Sequence, residues 1–517
     1  MKTFVLYSVL GLGLFIQRAT SQKVIQYEFS KMLGPRAPSL GKRQVTSSSI
    51  QETPITNQVY FYTVDVSIGT PGQAIQMQIV TGSTDTYVFN GSSPICTQAG
   101  SSCPSASYNF QNSSTFHQIG LPFNLTFGNG LDVAGSYITD SLEIGGVSVH
   151  GLQMGLVTNG TAGVANTAQL GLGWPVDEAI CTSPSCTPYP TFLDDLVAQD
   201  VIASRTYSIW LNDENAPSGT ILFGGIDGSK YRAPLSTFPM QKDSSGGYSE
   251  LSVNVIDLLF VGSDATTYHL VPTDNEPVPY ILEADSATTY FPSAVWSTLA
   301  PLLELKNDTN GGWWTPCTNT ETEFEIQVDN DNSPSLRVPI EQFLIANATQ
   351  LIGNTTYCGI FIDTADNSGG LATLGEGFLR SIYSVYNLDD KTISLAPANY
   401  NVNGSDVAEI PAGAGAVASV ASVLASSSFA ALSASASSAA ASESSAAMSA
   451  AATRTSKTAP FTTASVSTLG LSSPSALPPA AFTSMPATKG AASTLSGTGS
   501  VLLLLASITI AFVRWFG

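Results

Sequence analysis

Two turns in this 517-residue chain could carry chemistry, and they differ at one decisive position. "EADSATTYFP" (283–292) takes an apolar run into a small-residue turn that bears an acid, Asp285. "QIVTGSTDTYV" (78–88) has the same shape but places Val80 where the other has its carboxylate. The correspondence continues downstream: "IVTGST" is followed by "QLGLGW", and "ADSATT" by "ATLGEGF". Val80 precedes Gly171 by 91 positions, and Asp285 precedes Gly375 by 90. Matched turns with matched partners imply two related lobes, each bringing one turn to a shared cleft. Two carboxylates held face to face cannot both ionise easily, so they share a proton and act as base and acid at one pH. Such a pair titrates as a unit. The isopropyl group of Val80 neither accepts nor donates a proton, and a lone Asp285 cannot fill both roles in one step.

The elements that must position these turns read as mostly β. "YFYTVDVSIGTPGQAIQMQIV" is two strands around Gly69-Thr70-Pro71-Gly72, "RTYSIWLNDENAPSGTILFGGID" a second pair, and "IYSVYNLDDKTISLAP" a third. Helical signals are few. "PTFLDDLVAQDVI" (190–202) is the best, with an early Pro and apolar positions three and four apart. The chain ends are a different matter. Residues 1–21 read as a secretory signal peptide with Lys2, an apolar core and a small-residue end. Residues 22–43 read as a propeptide closed by the dibasic Lys42-Arg43, with two surface cations as the alternative. From about Ala412 the chain is dominated by Ser, Ala, Thr and Pro, a composition too poor in large apolar groups to offset chain entropy. The expected organisation is therefore an N-terminal lobe over 44–205, a C-terminal lobe over 206–399, and an O-glycosylated stalk over 400–490. The tail over 491–517 reads as a GPI-attachment signal with its site at Gly490, a simple membrane anchor being the alternative.

Taken together, "YFYTVDVSIGTPGQ", "VTGSTDTYV", "FNLTFGNG", "GLGW", "DSATTYFP" and "TLGEGFLRSIYSVYNLDDKTISLAP" make the chain resemble the pepsin-like aspartic peptidases over nearly all of 55–398. With its prosegment, stalk and anchor signal it is similar to the yapsin-type fungal members. The resemblance implies a bilobal β fold in which each lobe supplies an Asp-Thr/Ser-Gly turn and the two carboxylates hold one water. This chain departs from that pattern in one half above all. Val80 replaces the first acid, Phe127 stands where the cleft-covering hairpin carries a Tyr, and Tyr87 stands where that Tyr finds a Trp. In the turn Asp285-Ser286-Ala287-Thr288, Ala287 replaces a Gly. Thr81 and Ser286 match the hydroxyls that brace the two turns, and Gly82 is kept. Two positions usually apolar in relatives are Gln78 and Glu283, two residues before each turn centre. We expect them to form a polar rung across the lobe interface. Glu283 lies one strand repeat, about 7 Å, from Asp285, so it is not expected to share a catalytic water with it. The implied function is a surface-anchored endopeptidase homologue, impaired or inactive, that binds peptide or protein in the cleft. A weak acid endopeptidase is the alternative, and a non-catalytic cell-wall glycoprotein a further one.

The remaining features agree with an oxidising, extracellular setting. Sequence proximity pairs Cys96 with Cys103 and Cys181 with Cys186, leaving Cys317 with Cys358, one of fifteen possible connectivities. Metal binding is the alternative, but there is no CxxC, and the histidines are His117, His150 and His269 alone. No cofactor is implied. Sequons stand at Asn90, Asn112, Asn124, Asn159, Asn307, Asn347, Asn354 and Asn403, and in a secreted chain they are expected on exposed loops. A net charge of −20 argues against nucleic-acid partners. It suits acidic surroundings, or simply solubility. The expected partners are a ligand in the cleft and a membrane reached through the GPI lipid, with the chain itself a monomer.

Overall fold

A computed structural model describes residues 23–32 and 61–426, apart from short segments at 98–102, 104–106, 128–131, 162–166, 182–186, 272–276, 309–310 and 330–333. The signal peptide, Lys42-Arg43, the stalk beyond 426, Gly490 and the tail lie outside the described residues.

The first lobe is built on strands β1 (Ile25–Met32), β2 (Phe61–Ile68), β3 (Gln73–Val80), β4 (Tyr87–Phe89), β5 (His117–Thr126), β6 (Asp132–Ile144), β7 (Val147–Gly160) and β8 (Ala168–Gly171). Along β2 inward residues alternate with more accessible ones, the signature of a strand with one face on the core. β3 is buried on both faces over its last four residues, and there β8 runs parallel along its edge with Val80 opposite Gly171. The second lobe repeats this device. Val278–Leu282 runs parallel to Thr373–Leu374, with Leu282 opposite Leu374. The glycine after each partner strand is there for close approach. A Cβ on Gly171 would lie 2.1 Å from the Thr84 carbonyl oxygen, and one on Gly375 would lie 2.5 Å from that of Thr288. Each glycine N–H then donates to a turn threonine: Gly171 to Thr86 Oγ1 at 3.2 Å, Gly375 to Thr289 Oγ1 at 3.1 Å. The matched spacing in the sequence is thus a matched pair of strand-and-turn units.

A thirteen-stranded sheet runs in the order Ser236–Pro239, Thr392–Pro397, Ile382–Asn387, Thr206–Trp210, Ser218–Phe223, β1, β2, β3, β8, β4, β7, β6, β5. The second lobe adds an eight-stranded sheet centred on Ser252–Val261 and a four-stranded one ending in Leu344–Ile352. One apolar core extends through both lobes, from Val64, Met77 and Leu170 to Phe291, Phe324 and Phe378. A buried cation ties the lobes together. Arg380 pairs with Glu214 at 2.7 Å and Glu376 at 2.8 Å, and its Nε donates to Tyr62 Oη on β2 at 3.2 Å. Removing such a cation strands two buried acids, a loss on the order of 3–5 kcal/mol.

Two expectations need correction, and the stretch read as a propeptide gains a strand. Residues 25–32, inside the stretch read as a propeptide, form a strand hydrogen-bonded on both sides, Ile25 opposite Phe223 and Ser30 opposite Thr63. The stalk boundary at 400 falls too early. Val407–Glu409 pairs with Gly225–Asp227, and residues 416–426 form a helix. That helix buries Val417, Ala421 and Leu424 against Trp210, Tyr231, Tyr383 and Ile410. The spacing of three and four puts the few apolar residues of a Ser/Ala-rich stretch on one face. Finally, Asn90 is buried and its amide oxygen accepts from the N–H and hydroxyl of Ser92, so this sequon is not an exposed loop site. The other seven asparagines are exposed. Cys96–Cys103 and Cys317–Cys358 are disulfides as expected. Cys181 is also disulfide-bonded, and Cys186 lies outside the described residues.

Candidate active site

The two turns meet. Thr81 reaches from the first into the second: its hydroxyl donates to the Leu282 carbonyl at 3.2 Å and accepts from the Ala284 N–H at 2.9 Å. Asp285 answers from the second. Its Oδ1 accepts from the Thr81 N–H at 2.8 Å and the Gly82 N–H at 3.2 Å, and it lies 3.2 Å from the Thr81 hydroxyl, whose one proton it shares with the Leu282 carbonyl. These three donors belong to the opposite turn, not to its own. Burial raises the Asp285 carboxyl above the ordinary carboxylate range, and the donors from Thr81 and Gly82 offset only part of that. Beneath it, Tyr207 and Tyr386 stack with ring centroids 4.9 Å apart, and both phenols feel the Asp285 charge. Neither tyrosine was picked out in the sequence. The signal was their place in strands that pair directly, Tyr386 opposite Tyr207, under the junction.

Val80 sits at the corresponding point of the first turn. Its carbonyl accepts from the Leu172 N–H at 2.9 Å. The side chain is buried, yet among the described residues it joins none of the apolar clusters that make up the core. Ser286 departs from expectation. Its hydroxyl donates to Thr288 O in its own turn at 2.8 Å, so the brace across the junction comes from Thr81 alone among the two matched hydroxyls. Ala287 is buried, and its turn leaves the Asp285 carboxylate facing the other lobe.

The other expected cleft residues are placed differently. Phe127 and Tyr87 lie in one buried apolar cluster with Phe89, Phe123, Val133, Tyr137 and Val157. Tyr87 packs against Phe89 and Phe123, each with centroids 5.9 Å away. Where a hydroxyl–indole pair was expected to be replaced at the cleft lip, the structure has an apolar plug under the β5–β6 hairpin. Asp85 sits behind it, accepting from Tyr137 Oη at 3.1 Å, Tyr189 Oη at 2.9 Å and the Ala179 N–H at 2.6 Å. It is a structural acid with a full set of donors. Neighbouring Glu178 is buried and its carboxyl is pushed up to about 8 by that burial, opposed by the Tyr189 N–H.

Gln78 is buried in β3 between Thr63 and Gln169 in register. Glu283 does cross to the first lobe, and its visible approach is to the turn at Gly82. A Cβ on Gly82 would lie 3.0 Å from Glu283 Oε1 and 3.5 Å from Asp285 Oδ2.

Residues 61–398 match the family model described as eukaryotic aspartyl protease. The chain belongs to the eukaryotic aspartyl protease family. It is 32% identical over 385 residues to a probable aspartic-type endopeptidase, opsB, of Aspergillus fumigatus, covering 74% of this chain and 77% of that one. It is 28% identical over 399 residues to aspartic proteinase yapsin-3 of Saccharomyces cerevisiae, covering 74% and 75%. The crystal structure of an aspartic proteinase from Irpex lacteus superposes with a TM-score of 0.54 at 20% identity, covering 68% of this chain and 98% of that one. In this aspartyl protease family member the two turns meet with Asp285 on the second and Val80 at the corresponding point of the first. No histidine, cysteine or carboxylate cluster of three among the described residues offers a metal site.

Proposed function

We propose that this chain is a secreted, surface-anchored aspartyl protease homologue that holds extended peptide in its interlobe cleft and cuts it little or not at all. One observation carries the reading: the first turn holds a buried valine, Val80, at the point where the second turn holds Asp285. Amide hydrolysis needs a base to take the proton of the attacking water and an acid to protonate the carbonyl oxygen. Losing a positioned acid–base group costs roughly 10²–10⁴ in rate. When two groups act as one, losing either costs nearly as much as losing both. The N-terminal apolar segment, the disulfides, the exposed sequons and the small-residue C-terminal signal support secretion and anchoring. So does the likeness to a yapsin.

The test is incubation of purified protein with an unstructured substrate between about pH 3 and 6, wild type beside Val80→Asp. The expected result is no pepstatin-sensitive cleavage by the wild type and measurable cleavage by the variant. Robust wild-type turnover blocked by pepstatin would sink the proposal. A second reading, a weak acid endopeptidase, draws on the retained Asp285 and on relatives named as endopeptidases. Wild-type cleavage that Asp285→Asn abolishes would decide for it.

A further inference from the structure

The strand rule places Glu283 and Asp285 a full repeat apart, yet both carboxylates border one small space beside Gly82. Gly82 has no side chain, and the space a Cβ would take is bounded by Glu283 Oε1 at 3.0 Å, Glu283 Cδ at 3.3 Å and Asp285 Oδ2 at 3.5 Å. Asp285 commits Oδ1 to Thr81 and Gly82, which leaves Oδ2 on the side where Glu283 stands. Both residues are half-buried, so this side of the junction is reachable from outside. We propose that Glu283 is a second protonatable group beside Asp285: it comes from the strand leading into the second turn and leaves the first turn's position unfilled, and Glu283 and Asp285 hold one proton between them. The inference rests on the cleft-binding reading and gives it a chemistry. A singly protonated carboxyl pair offers one O–H and one carboxylate to a hydroxyl or a hydrated carbonyl of a bound peptide, and it loses that ability when both acids ionise.

The groups that face the pair are compatible with this. Tyr290 feels the Glu283 charge, and Tyr207 and Tyr386 feel that of Asp285. Burial raises all three phenols well above their ordinary value, so they stay neutral while the carboxyls titrate. The Thr81 hydroxyl and the Thr81 and Gly82 N–H groups are fixed donors to Asp285 and do not titrate. Like charges that border the same space separate the two ionisations, leaving a window in which one proton is held.

The experiment uses the full chain and a statine-type peptide, pepstatin, whose central hydroxyl mimics the tetrahedral species. Binding is followed by calorimetry from about pH 3 to 7 for wild type and Glu283→Gln. Wild-type affinity should fall about tenfold per pH unit once the second carboxyl ionises. In Glu283→Gln the fall should begin at least about one pH unit lower, because Asp285 has lost its anionic neighbour. Superimposable profiles for the two proteins overturn the proposal. Thermal unfolding of the same pair across this range gives a readout independent of any ligand. The melting temperature of Glu283→Gln should rise relative to wild type with increasing pH, and a pH-independent difference overturns the pair. Absence of pepstatin binding together with a pH-dependent melting difference keeps the pair and removes the cleft-binding reading, so the two failures are distinct.

Discussion

The two turns share a backbone plan and have opposite chemistry. Each sits where a strand meets a parallel partner, each is undercut by a glycine whose Cβ would strike the turn, and each passes a threonine hydroxyl to that glycine's N–H. The second turn then spends its carboxylate on the donors of the first, while the first offers an isopropyl group and a bracing hydroxyl. The lesson is that backbone complementarity between lobes survives without symmetric side chains. The N–H groups of Thr81 and Gly82 still need an acceptor, and Asp285 supplies it from across the junction. An unmet buried donor costs about 1–3 kcal/mol, so the surviving acid has a structural duty whether or not it does chemistry.

The largest effect expected from breaking this asymmetry is on turnover. Val80→Asp restores the carboxylate the first turn lacks, and cleavage of an unstructured substrate at acid pH should rise by roughly 10²-fold or more. The gain should vanish in Val80→Asp combined with Asp285→Asn, measured with the same substrate. No gain, in a variant shown to be folded by circular dichroism, would mean that the apolar plug of Phe127 and Tyr87 also disarms the centre. Next in size is the brace. Thr81→Val keeps the shape but leaves the Ala284 N–H without its acceptor and the Leu282 carbonyl without a donor. A loss of about 1–3 kcal/mol in denaturant unfolding is expected.

A smaller effect follows from the acid itself, because a half-exposed group is partly screened by solvent. Its ordinary value is 3.8, and burial raises it in the folded chain. The protonated form is therefore the one that folding favours. Its contribution is full below the ordinary value and is lost as pH rises through the raised one. Asp285→Asn mimics the protonated state, so its melting temperature should match wild type at about pH 3 and exceed it at neutral pH. The reverse order would mean that the donors of Thr81 and Gly82 outweigh the burial.

Most of the frame was legible before any coordinates, because it rests on spacing. Turn, strand and glycine recur at nearly equal intervals, and short alternating segments between Gly, Pro and Asn turns announce a β protein. What escaped was set by packing that spacing does not encode. Glu283 obeys the strand period in its backbone, but its long side chain turns toward the empty face of Gly82, and no local rule gives that direction. Ser286 has the same hydroxyl as Thr81, yet a carbonyl in its own turn lies nearer. The helix over 416–426 hid in a composition that argues for disorder, since Val417 and Leu424 matter by position and not by number. Residues 25–32 gave no strand signal, because their partners at Phe223 and Thr63 lie far along the chain.

The smallest expected effect is the sharpest test of the asymmetry. If the junction were braced symmetrically, Ser286 and Thr81 would be equivalent and their loss equally damaging. The geometry says otherwise. Ser286 is half-buried and its hydroxyl makes one described bond, within its own turn, whereas the buried Thr81 hydroxyl serves Leu282, Ala284 and Asp285 in the opposite one. Ser286→Ala removes a donor from a carbonyl near solvent, and water can take its place. The cost should be about 0.5 kcal/mol, the low end for a single hydrogen bond. Unfolding the two variants side by side with their double mutant settles it. Independent hydroxyls give additive losses, whereas residues bound into one network couple by 0.5 kcal/mol or more. A Ser286→Ala loss as large as that of Thr81→Val, with strong coupling, would mean that both hydroxyls grip the opposite lobe. The two turns would then differ only in what they present to a ligand.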